Sequence, residues 1–73
     1  MICMKYTIVI EQTDTGYSAY VPDLPVVVAA AKTRDELMKL MSEAIPMHMA
    51  LLREDGDEIP MPRSFAAEIE VAA

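Results

Sequence analysis

The sequence predicts an α+β domain of order βββαβ, with four strands in a mixed sheet and one helix on one face. Three observations carry this: alternating segments around a turn cluster, a doubly apolar run after a proline corner, and one long stretch with helical spacing.

From Met4 to Glu11 the residues alternate, with Met4, Tyr6, Ile8 and Ile10 on one side and Lys5, Thr7, Val9 and Glu11 on the other. This is the pattern of a half-buried strand. Thr13, Asp14, Thr15 and Gly16 are turn formers, and Tyr17 to Val21 restarts a β-type run, so the two make a hairpin. Pro22-Asp23-Leu24-Pro25 marks a corner, because each proline lacks a donor and restricts the residue before it. Val26 to Ala31, apolar at every position, reads as a third strand in mid-sheet.

Thr33 and Glu36 have capping-box spacing, and Leu37, Leu40, Met41, Ala44, Ile45, His48, Leu51 and Leu52 recur at helical intervals. Pro46 falls inside this stretch, removes the bond to the Ser42 carbonyl and predicts a kink or break. Glu54, Asp55 and Gly56, followed by Pro60 and Pro62, end the helix near Asp55. Ile69 and Val71 alternate with Glu68 and Glu70, which predicts a short fourth strand returning to the sheet.

The 73 residues, 53% hydrophobic and with two glycines, suit one globular domain over residues 1–73. So short a chain buries only about 60% of its unfolded surface, so self-association would help it. Twelve acids against six bases give a net charge of -6, which repels nucleic acid and attracts a basic protein. The single cysteine, Cys3, suits a reducing compartment, and neither a signal peptide nor a membrane span is visible. A cytoplasmic protein with no direct contact to nucleic acid or membrane is expected.

One helix covers one side of a sheet and leaves the other open. If the more apolar side of the first strand meets the helix, the open side presents Val9, Ser18, Tyr20, Val26 and Val28 as a partner or oligomer interface.

The residues do not point to catalysis. The acids Glu11, Asp23, Asp35, Glu36 and Glu43 could in principle hold a divalent ion for a nuclease, yet Asp35 and Glu36 are where the helix dipole favours acids. His48 stands in the apolar stripe, Cys3 reads as a packed residue at the strand's start, and Gly16 and Gly56 are isolated turn glycines without a phosphate loop. No catalytic residue, metal ligand or cofactor is assigned.

The run Asp14-Thr15-Gly16-Tyr17-Ser18-Ala19-Tyr20-Val21-Pro22-Asp23-Leu24-Pro25, with Thr33, Glu36, Glu43 and Ala44 beyond it, resembles the N-terminal domain of HicB-type antitoxins. The resemblance implies a partial ribonuclease-H-like fold without the catalytic acids, with the last strand beside the first. It also implies a homo-oligomer that masks a small basic RNA-cleaving toxin. Family members of full length carry a C-terminal DNA-binding module that this sequence lacks, so direct repression of its own operon is not expected. The alternative is a solitary homo-oligomerisation or regulatory domain with no toxin partner.

Overall fold

Alternating residues become a strand only where another strand lies opposite. In the computed structural model, which describes residues 3–73, β1 spans Val9–Gln12, β2 Tyr17–Val21, β3 Leu24–Ala31, and α1 Arg34–Glu54. The strands form one antiparallel sheet in the order β1-β2-β3. β1 starts at Val9, opposite Tyr20, because β2 runs out one residue later at Val21 and turns at Pro22. Tyr6 and Ile8 lie outside the ladder but still pack against the core, as their alternation predicts.

The first hairpin closes with the Thr13 N–H donating to the Gly16 carbonyl at 2.9 Å. Gly16 passes so close to the end of β3 that a Cβ there would stand 2.3 Å from the Ala31 carbonyl oxygen. Gly16→Ala is therefore expected to force the hairpin off β3 and cost about 1–3 kcal/mol, read as a lower urea midpoint. In the second hairpin the ladder pairs Val21 with Leu24 but Tyr20 with Val28, so Pro25–Val27 is displaced from it. Pro25, which has no N–H to give, accounts for part of that irregularity.

Thr33 caps α1 from extended backbone (φ -124°, ψ 156°), its hydroxyl accepting from the Glu36 N–H at 3.2 Å. At the other end Gly56 takes a left-handed φ of 72°. The N–H groups of Gly56 and Asp57 there donate to the carbonyls of Arg53 and Leu52, which satisfies the last orphan acceptors. α1 runs through Pro46 without a break. It covers β3 and β2, and buries Leu37 and Met41 against Ala19, Val21, Leu24 and Val27.

The expected four-stranded mixed sheet is corrected to a three-stranded antiparallel one, in a βββα order. The chain does return past the sheet after α1, but side chains hold it in place of a ladder. The Tyr6 hydroxyl donates to the Pro60 carbonyl, and the Thr7 hydroxyl to that of Ser64 at 2.7 Å. Pro60 and Pro62 have no N–H for a ladder, and those of Arg63 and Ser64 are taken by Asp23. Beyond Ser64 the alternating residues find no cover, and Ile69 remains 87% and Val71 78% exposed. The radius of gyration, 14.2 Å, exceeds the roughly 11 Å of a compact chain of this length, consistent with a projecting tail.

Candidate partner-binding face

Residues directly opposite one another in an antiparallel ladder point to the same side. Ile10, Ala19 and Ala29 form one such row, and Ala19 is 3% exposed beneath α1. Val9, Tyr20 and Val28 form the adjacent row and therefore point away from the helix. Glu11, Ser18 and Ala30 make the next row on that same open side. Tyr20 is 40%, Val28 65% and Val26 75% exposed, so the open side is apolar at its centre and toward β3. The structure thus places Val9, Ser18, Tyr20 and Val28 on one surface, with the strongly exposed Val26 just beyond the irregularity in β3. Glu11 is the acid on that surface, at the β1 edge.

The other singled-out residues shape the frame. Tyr17 pairs with Ala31 and packs on the core, Leu24 is fully buried, and Ala44 lies half-buried over β3. Pro22 and Asp23 form the corner between β2 and β3, with Pro25 exposed just after it. Glu36 gives its N–H to the Thr33 cap, and Glu43 is exposed on α1. Cys3 is exposed and outside β1, which corrects its expected packing role.

Asp23 has a role that its sequence context did not reveal. Its Oδ2 accepts from the N–H groups of both Arg63 and Ser64 at 3.0 Å, and its Oδ1 accepts from the Ser64 hydroxyl at 3.1 Å. The carboxylate thereby clips the returning chain to the sheet corner. The Ser64 and Arg63 N–H bonds hold its pKa below the ordinary carboxylate value. A depressed folded pKa stabilises the clipped state above the unfolded pKa, and that contribution is lost as pH falls through the folded value. Asp23→Asn at neutral pH, or acidification of the wild type past that range, is expected to abolish protection of the Arg63 and Ser64 amides in NMR hydrogen exchange. The sequence signal was the short polar pair Arg63-Ser64 directly after Pro60 and Pro62, which frees a backbone for capture.

A second feature not singled out is an apolar groove of about 170 Å³ between β3 and the second half of α1. Val26, Val28, Ala44, Met47, His48 and Leu51 line it. His48, half-buried in the expected apolar stripe, borders this groove. Among the described residues no three His, Cys, Asp or Glu side chains gather to hold a metal ion, and no helix is long and apolar enough to cross a membrane.

A three-stranded sheet with one covered face, an open apolar face and an acidic chain defines a small α+β domain of the kind that meets other proteins. The model of the HicB-like antitoxin of bacterial toxin-antitoxin systems matches residues 6–72, and the chain belongs to that family. It is 31% identical over 71 residues to Antitoxin HicB 2 of Photorhabdus laumondii, covering 96% of this chain and 51% of that protein. It is 40% identical over 57 residues to a 14.9 kDa protein of the rep-hol intergenic region of Haemophilus phage HP1, covering 78% of this chain and 43% of that one. A UPF0150 protein of Thermoplasma acidophilum is 37% identical over 96% of this chain and is matched along 100% of its own length. The chain thus spans about half the length of the Photorhabdus and phage relatives and the whole of the Thermoplasma one.

Proposed function

We propose that residues 1–73 act as one cytoplasmic HicB-like antitoxin domain, without catalysis of their own, that neutralises a small basic RNA-cleaving toxin by covering it. The observation that supports this most is the open sheet face of Val9, Tyr20 and Val28 in a chain of net charge -6 from an antitoxin family. Apolar side chains at the centre supply contact area, while the acidic surroundings speed encounter with a basic partner and disfavour nucleic acid. The domain works as a homo-oligomer, since so small a core gains from further burial.

A second reading, a solitary oligomerisation or regulatory domain without a toxin, draws support from the Thermoplasma relative, in which a domain of this size is a protein by itself.

The test is an RNA-cleavage assay with the small basic protein encoded beside this gene, titrated with the purified chain. Cleavage suppressed in proportion to added chain supports the antitoxin reading. Undiminished cleavage with no complex on gel filtration favours the solitary domain.

A further inference from the structure

We propose that the free edge of β3, together with the groove beside it, is the surface on which a second copy of this chain docks, the two β3 strands pairing antiparallel about a two-fold axis at Val28.

The two sheet edges differ in a telling way. β1 is only four residues long, carries Glu11, and is preceded by residues whose side chains hold the returning segment 60–64. β3 is eight residues long and, from Val26 to Ala31, holds no charge and no proline. Proteins ordinarily blunt such an edge with lysine, proline or a covering segment. The displaced stretch Pro25–Val27 is the only such device, and from Val28 to Ala31 the ladder is regular.

Beside this edge the helix is also unfinished. Met47 is 66% and Leu51 52% exposed, and both flank the groove with Val26 and Val28. An added strand alone would pair the edge but leave this helix flank open. The occupant that brings both a strand edge and a helix flank, in the same relation, is another copy of the chain. A two-fold axis normal to the sheet makes the strands antiparallel and keeps both helices on one side, so the flanks meet as well. The strip is then self-complementary.

Charge favours the same occupant. Two chains of net charge -6 repel, and this uncharged strip lets them touch without opposing acids. A basic partner would be drawn to the acids that the strip lacks. Pairing about Val28 sets Leu24 of each copy opposite Lys32 of the other, which brings the Asp23 corner alongside an opposite charge. The product is a six-stranded sheet whose open faces run together. The proposal stands apart from the toxin reading, because it concerns the chain alone.

The strip is about 27 Å long, from eight residues at roughly 3.3 Å each, and about 10 Å deep to the helix. That is smaller than the roughly 800 Å² per partner of a standard interface, so association is expected in the micromolar range. The test is sedimentation velocity of the purified chain across that range, with circular dichroism to confirm folding of each variant. The wild type is expected to be a dimer, and Val26→Lys and Met47→Lys each a folded monomer. In a Cys3→Ser background, Val28→Cys is expected to form a disulfide-linked dimer on oxidation, because opposed Cα atoms lie about 4.5–5.5 Å apart. A monomeric wild type, an absent cross-link, or a dimer that survives both strip charges yet dissociates with Tyr20→Asp would overturn the proposal. So would a strip that gains hydrogen-exchange protection only when a toxin is added.

Discussion

Leu37→Ala is expected to destabilise the domain by about 2–5 kcal/mol, enough to leave a large fraction unfolded at 25 °C. Leu37 is fully buried, and among the described residues the buried core comprises only Ala19, Val21, Leu24, Val27, Leu37 and Met41. A chain of this length has a total stability of roughly 4–11 kcal/mol, so one truncated leucine removes a third or more of it. The site collapses poorly, because Leu37 is the first apolar residue of α1 and its neighbours across the interface are anchored in the sheet. Urea unfolding followed by circular dichroism measures the loss. A midpoint within error of the wild type would show that the helix is not held by this contact.

The second large effect has the opposite sign. Pro46→Ala is expected to stabilise the chain by as much as ~3 kcal/mol, because it restores an N–H donor to the Ser42 carbonyl and removes the ring from a turn that stays helical. Pro46 is exposed, so alanine leaves no cavity. The same denaturation experiment reads the gain as a higher midpoint. A fall in stability would mean that the proline's φ constraint contributes more than the missing bond.

The contrast between these two residues shows what the sequence carried. Capping at Thr33, the apolar stripe through Leu37 and Met41 and the stop at Gly56 are local signals, and the helix they predict appears with the same limits. The span of β2 was equally legible, because a turn cluster and a proline corner bracket it. The open side was readable too, since alternation in β1 and β2 assigns each residue a side once the helix has chosen one. Alternation alone misled at both ends of the chain. Met4 to Ile8 and Glu68 to Val71 have strand periodicity, yet a ladder also needs a neighbour with free donors, and none lies opposite them. The Asp23 clip spans forty residues of sequence between its partners, and no local pattern announces such a contact. The groove was hidden for the same reason, since Val26 and Met47 belong to different elements.

The account rests on the claim that the open sheet face receives a basic protein partner. Isothermal titration of the toxin encoded beside this gene into wild-type, Tyr20→Asp and Glu43→Gln chains tests it most directly. Tyr20 lies mid-sheet on the open side, whereas Glu43 is on the helix. The account predicts tight binding by the wild type and by Glu43→Gln, and a loss of roughly 30-fold or more for Tyr20→Asp, the scale of about 2 kcal/mol for a central contact residue. Equal affinities for all three chains, or no heat from any of them, would contradict it.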